Sequence, residues 1–157
     1  MIAREPGIKD MPEKRKILII EDDLDAVEVT RIVLESKNYI TVAAFNFEEG
    51  LAKAREEKPD LIILDVMMPG KSGFDLSYEI RKDKTLSHIP ILMQTAVNVR
   101  MPGFFISNEA DGEFLPVDEF IDKPAQPEQL AGKVEKLLAM KTSKWINWPE
   151  KKKEEGV

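Results

Sequence analysis

Ile17-Leu18-Ile19-Ile20 runs directly into Glu21-Asp22-Asp23, and Leu61-Ile62-Ile63-Leu64 runs directly into Asp65. Unbroken aliphatic runs of this length, separated by helix-length amphipathic segments, read as parallel strands buried on both faces. Outward from them, Ile91-Leu92-Met93-Gln94 ends in Thr95, and a weaker run, Glu119-Phe120-Ile121-Asp122, ends in Lys123-Pro124. In an open parallel sheet, ligands bind beyond the carboxyl ends of the strands. Carboxylates, a hydroxyl and an ammonium are therefore predicted to gather at the one edge where chemistry is expected.

The segments between these runs carry helix signals. Asp23 is placed to cap a helix running to about Ser36, with Val27, Ile32, Val33 and Leu34 as its apolar stripe. Tyr39 to Ala44, rich in β-branched and small residues, reads as a further strand. Asn46 and Glu49 form a capping-box-like start for a helix to about Glu57. Lys58-Pro59 ends that helix, because the residue before proline avoids the helical region. Met68 to Gly73 is turn chemistry, followed by a helix over about Phe74 to Lys82. Pro127 opens a closing helix that runs to about Met140. This alternation predicts right-handed crossovers, with helices on both faces of a parallel sheet.

Two stretches break the alternation. Between Val97 and Val117 a fourth helix is due, but Pro102, Gly103, Gly112 and Pro116 interrupt the pattern, so an irregular loop is expected to replace or shorten it. Phe104, Phe105, Ile106, Phe114 and Leu115 predict that this loop packs rather than hangs free. Residues 1–15 read as a flexible leader, 16–140 as the domain, and 141–157 as a partly disordered tail. In the tail, Trp145 and Trp148 either cover the domain's own edge or meet a partner.

The chain of 157 residues is long enough to bury a core as one domain. Its net charge of -6 disfavours direct nucleic-acid binding, since phosphate backbones select basic faces. With no cysteine it has neither disulfides nor thiolate metal sites, which fits a reducing, cytoplasmic setting. The leader has no apolar stretch fit for a signal peptide, and no segment is long and apolar enough to cross a bilayer.

Three carboxylates at neighbouring strand ends repel one another unless a cation joins them. With a single His88, the donors on offer are hard oxygens, which suit Mg²⁺ better than zinc. A hydroxyl at Thr95 and an ammonium at Lys123 suit the remaining oxygens of a phosphoryl group, and a carboxylate is able to become an acyl phosphate. The physical reading is Mg²⁺-assisted transfer of a phosphoryl group onto Asp65.

Ile-Ile-Glu-Asp-Asp after the first strand, Leu-Asp-Val-Met-Met-Pro-x-x-x-Gly after the third, Thr-Ala after the fourth and Lys-Pro after the fifth together resemble the response-regulator receiver domain. The likeness spans about Lys16 to Met140. It implies a doubly wound, flavodoxin-like five-stranded sheet of order 2-1-3-4-5, with Glu21, Asp22 and Asp65 meeting at the switch point. Carried over by position, Asp65 matches the phosphoacceptor, Asp22 the direct Mg²⁺ ligand and Glu21 the acid that acts through a metal-bound water. The backbone carbonyl of Met67 matches the third protein ligand. Thr95 matches the hydroxyl that moves toward the phosphoryl group, Lys123 the lysine that pairs with it, and Phe120 the aromatic that swings inward on activation. Lys123-Pro124 matches a cis peptide bond of the family. Asp23 falls past the metal pair and is assigned to helix capping. Met67, Met68 and Met93 are assigned to the core, and His88 to solvent.

The chain ends within about a tail's length of this domain, with no room for an output domain, so a stand-alone signalling protein rather than an enzyme is expected. It would take its phosphoryl group from a sensor histidine kinase or a phosphotransfer protein and present a changed surface to a downstream protein, without nucleic acid or membrane. Met67 and Val97, apolar at the positions that flank the attacking water, predict a long-lived phosphoryl state, and the order of the 97–117 loop is expected to depend on phosphorylation. Three other readings compete. A haloacid-dehalogenase-type phosphatase needs a second acid where Met67 stands, and a flavodoxin-like carrier needs a phosphate loop where Glu21-Asp22-Asp23 would repel the phosphate. A receiver that signals by binding alone would not need the complete set of site residues.

Overall fold

The structure is a computed structural model that describes residues 14–68, 70–96, 116–140 and 142–143. Five strands, β1 (Lys16–Ile20), β2 (Ile40–Ala44), β3 (Leu61–Asp65), β4 (Ile91–Ala96) and β5 (Glu119–Lys123), form one parallel sheet of order β2-β1-β3-β4-β5. Four described helices connect or follow them: α1 (Leu24–Glu35), α2 (Phe47–Glu57), α3 (Gly73–Lys82) and α4 (Pro127–Ala139). The expectations for residues 1–13 of the leader, for the 97–115 part of the irregular loop and for Trp145 and Trp148 fall outside the described residues, while the carbonyl of Arg15, at the leader's end, already accepts from the Ile40 amide at 2.9 Å.

Why the aliphatic runs become strands is visible in their pleat, which sends alternate residues into two separate cores. Leu18, Ile20, Ile62, Leu64, Ile91 and Met93 pack with Phe47 and Ala54 of α2 and Leu76 and Ile80 of α3. Ile17, Ile19, Leu61, Ile63, Leu92 and Ile121 pack with Val27 and Leu34 of α1 and with Leu130, Val134, Leu137 and Leu138 of α4. A strand lined with apolar side chains on both faces can leave no polar alternation in the sequence. Each fully buried aliphatic side chain contributes about 1.5–3 kcal/mol of transfer free energy, so the register is strongly specified.

The caps follow their local chemistry. Asp23 Oδ1 accepts from the amides of Asp25 at 3.0 Å and Ala26 at 3.2 Å, which fixes the start of α1. Asn46 Oδ1 accepts from the Glu49 amide at 2.8 Å, and Glu49 Oε1 reaches back to the Phe45 amide at 3.0 Å. A full capping box joins Ser72 to Asp75 and starts α3 at Gly73, one residue earlier than the periodicity suggested. Lys58 leaves the helical region as expected, but into the left-handed one, φ 48 and ψ 60, where its amide still bonds to the Ala54 carbonyl at 3.2 Å.

Two residues expected in the core lie at the surface. Ile32 is 62% exposed, because it stands about 140° around the helix from Val27; the buried stripe of α1 is Val27, Thr30 and Leu34. Met67 is also 62% exposed: it follows the strand end, where Val66 and Met68 turn inward and Met67 turns out. Met68 and Met93 are buried as expected.

At the base of the sheet, opposite the carboxyl ends of the strands, sits a buried cation. Arg81, at the end of α3, donates Nε to the Pro116 carbonyl at 2.7 Å and Nη1 to the carbonyls of Ser87 at 2.9 Å and Ile89 at 2.7 Å. Its Nη2 meets Asp118 Oδ2 at 2.8 Å, with neither side chain exposed. The same carboxylate accepts from the Ile91 amide at 2.9 Å and from Ser143 Oγ at 2.8 Å. Burial lowers the guanidinium to about 10, with Asp118 opposing that shift, so Arg81 stays charged at neutral pH. The Arg81 guanidinium thus ties α3 to the approaches to β4 and β5, and its partner Asp118 adds the segment after α4.

Candidate functional site

The register brings the ends of four strands level. Ile20 pairs with Leu64, Asp65 with Gln94, Thr95 with Asp122 and Ala96 with Lys123. Glu21 follows β1 and holds its place by donating its amide N–H to the Ala44 carbonyl at 3.0 Å. Carboxylate oxygens of Glu21, Asp22 and Asp65 lie within 4.8 Å of one another. Glu21 and Asp65 are buried and Asp22 is exposed, so the cluster is sunk into the sheet edge and open on one side.

Lys123 closes the other side. Its Nζ lies 2.8 Å from Glu21 Oε2 and 2.9 Å from Asp65 Oδ1, bridging two of the three acids. The Lys123-Pro124 peptide bond is cis. Burial raises the Glu21 carboxyl to about 7; the negative charge of Asp65 adds to the rise, and Lys123 opposes it. Burial alone would lower Lys123, but its bonds to Glu21 and Asp65 and their charges outweigh this and hold it above the ordinary lysine range. The site is a charge balance in which the ammonium is the local counterion.

Asp65 is held from behind by α3. The Gly73 amide bonds to the Val66 carbonyl at 2.9 Å, and a Cβ on Gly73 would overlap the Asp65 carbonyl oxygen. Only a glycine lets the first turn of α3 approach the strand end this closely. Thr95 is fully buried near the end of β4, and its Oγ1 donates to Asp122 Oδ1 at 3.3 Å. Phe120 is half-buried against the core formed with α2 and α3. His88 is exposed, as expected, while its carbonyl accepts from the Ser143 amide at 2.7 Å.

Of the residues singled out in the sequence, the structure unites Glu21, Asp22, Asp65 and Lys123 directly. Thr95 shares the edge but directs its hydroxyl to Asp122. Met67 lies two residues beyond Asp65 with its side chain outward. The residue that sequence reasoning missed is Asp122, whose relation to Thr95 depends on the β4–β5 register.

Residues 17–135 match the Response regulator receiver domain family. The chain belongs to the response-regulator receiver domains. It is 34% identical over 124 residues to the alkaline phosphatase synthesis transcriptional regulatory protein PhoP of Bacillus subtilis, covering 79% of this chain and 48% of that protein. This receiver domain thus spans about half the length of the curated regulators it matches. Among solved structures, it resembles the receiver domain of a signal transduction histidine kinase of Syntrophus aciditrophicus, with a TM-score of 0.70 and 31% identity over 80% of this chain and 91% of that one. The chemotaxis response regulator CheY4 of Vibrio cholerae has a TM-score of 0.67 and 27% identity, over 79% of this chain and 98% of that one. The chain is accordingly a receiver domain of two-component signalling. Among its described residues, no helix is long and apolar enough to cross a membrane.

Proposed function

We propose that Asp65 is a phosphoacceptor, taking a phosphoryl group from a sensor histidine kinase or a phosphotransfer protein and later losing it to water as inorganic phosphate. The observation that carries this reading is the convergence of Glu21, Asp22 and Asp65 within 4.8 Å, with Lys123 against two of them. The donor set is all hard oxygen, and three carboxylates around one point fit Mg²⁺. Asp22 would bind it directly, Glu21 through a water, Asp65 through its carboxylate and Met67 through its backbone carbonyl. When bound, Mg²⁺ neutralises charge on the transferring phosphoryl oxygens.

The chain's own residues do the rest. An Asp65 carboxylate oxygen attacks phosphorus, the bond to the donor nitrogen of phosphohistidine breaks, and the histidine leaves with its electron pair and takes a proton from water. Lys123 moves its ammonium from the Asp65 carboxylate to a phosphoryl oxygen without leaving the site. Thr95 donates its hydroxyl to another phosphoryl oxygen, and Phe120 follows it toward the core. Such a switch need only shift an equilibrium between two existing states, for which a few kcal/mol suffices. The net charge of -6 supports a protein, rather than nucleic acid or membrane, as the direct downstream partner in the cytoplasm.

The test is intact mass after incubation with acetyl phosphate, with and without Mg²⁺, on wild type and Asp65→Ala. A single Mg²⁺-dependent phosphoryl adduct, absent from the variant, is expected. No adduct, under conditions that label a control receiver, would overturn the reading in favour of a domain that signals by binding alone.

A further inference from the structure

Thr95 lies on β4, between the strands that carry Asp65 and Asp122. Asp65 ends β3, and Asp122 lies on β5 as the register partner of Thr95. A hydroxyl has one hydrogen to donate, and a β-branched side chain has few positions in which to place it. In this structure the hydrogen goes to Asp122 Oδ1, away from β3, across 3.3 Å. That separation is longer than the usual O–H···O range of about 2.5–3.0 Å, so the hold is weak enough to be exchanged. Thr95 itself is fully buried, so it cannot satisfy its hydroxyl from open solvent when it leaves one acceptor for the other.

We infer that Asp122 is a positioning residue. Its carboxylate keeps the Thr95 hydroxyl on the β5 side of β4 and competes for it with a phosphoryl group on Asp65. The inference rests on the phosphoacceptor reading of Asp65 and deepens it: the resting position of the switch is set by an acid one strand away, next to Lys123 in the chain. Lys123 turns to Glu21 and Asp65 while its neighbour Asp122 takes Thr95. The two residues therefore act on the site in opposite senses, one joining it and one drawing a ligand group from it.

The test uses beryllofluoride, a non-covalent phosphoryl mimic, titrated at fixed Mg²⁺ into wild type, Asp122→Ala, Thr95→Ala and the double variant. Loss of one modest hydrogen bond in the resting state predicts that Asp122→Ala binds about three- to tenfold more tightly than wild type. In the Thr95→Ala background the same change should bring no gain. An equal gain in both backgrounds would mean that Asp122 acts by its charge alone, and no gain in either would mean that it does nothing; each overturns the inference.

A second measurement needs no ligand. In metal-free protein labelled at threonine methyl carbons, the Thr95 signal should move in Asp122→Ala and stay near its wild-type position in Asp122→Asn, which keeps an oxygen acceptor. An unmoved signal in Asp122→Ala overturns the inference. Failure of wild type to bind beryllofluoride would instead refute the phosphoacceptor reading, and with it the competition, leaving the methyl signal to decide whether Asp122 positions Thr95.

Discussion

Replacing Arg81 with methionine should test the base of the sheet without touching the acidic edge. The substitution keeps a long apolar stem but removes four contacts, to the Pro116, Ser87 and Ile89 carbonyls and to Asp118. Summing a penalty of about 1–3 kcal/mol for each orphaned group would overstate the cost, because water and small backbone shifts recover part of it. Breaking a fully buried pair from one side typically costs about 3–5 kcal/mol, a large share of a stability of about 5–15 kcal/mol. At roughly 2–4 °C per kcal/mol for a domain of this size, the melting temperature should fall by about 6–20 °C, measured by far-UV circular dichroism. Adding Asp118→Asn removes a negative charge that has lost the Arg81 guanidinium and keeps an acceptor for the Ile91 amide, so it should restore about 1–2 kcal/mol. A loss below about 1 kcal/mol in Arg81→Met, or a further loss on adding Asp118→Asn, would refute the assignment of Arg81 as the central tie.

Two glycines should respond in opposite directions. Gly73→Ala puts a methyl group into the Asp65 carbonyl and should destabilise by about 1–3 kcal/mol in urea unfolding; unchanged stability would contradict the close approach. Gly132→Ala, inside α4 with nothing within 4 Å of the added carbon, should stabilise by about 0.5–1 kcal/mol, and a loss would contradict the open surroundings. Glu21, raised from 4.5 to about 7 mainly by burial, favours its protonated form in the folded state. Metal-free stability from this group is thus fully present below about pH 4.5 and lost as pH rises through 7, so the urea midpoint should fall between pH 5 and pH 8. The same proton would compete with the Mg²⁺ proposed for this site, whose affinity should drop about tenfold between pH 8 and pH 6; isothermal titration showing no pH dependence would refute the coupling.

How much of this was legible in the sequence depended on whether burial was local or tertiary. Ile17 to Ile20 and Leu61 to Leu64 announce their strands because a parallel strand covered on both faces needs apolar residues throughout. Glu21 and Asp65 were legible for a related reason: each follows a buried run and emerges at the same edge, whereas Lys123 ends a strand in which only Ile121 is buried. Ser72 and Asp75 carried a readable capping signal, but the apolar periodicity begins only at Phe74, which hid the true start of α3. Arg81 could not be read. In Glu79-Ile80-Arg81-Lys82-Asp83 it looks like any solvated charge, and only the meeting of the Ser87, Ile89 and Pro116 carbonyls with Asp118 makes it a core residue. Asp122 is similar, since a strand acid acquires its partner only once β4 and β5 are in register. Ile32 and Met67 show the converse, apolar residues whose direction is set by helix phase and by a strand's end.

The attachment of Ser143 has a consequence for where a signal would be felt. Ser143 Oγ reaches Asp118 at 2.8 Å and its amide reaches the His88 carbonyl at 2.7 Å. The polypeptide therefore leaves α4 and touches the domain at the foot of β5, while Lys123 stands at the head of the same five-residue strand. At about 3.3 Å per residue, the two are separated by roughly 16 Å of a single edge strand, with Phe120 along its length. A force or displacement applied to the chain near Ser143 would load the foot of β5 first, and a lengthwise shift of that strand would carry Lys123 with it.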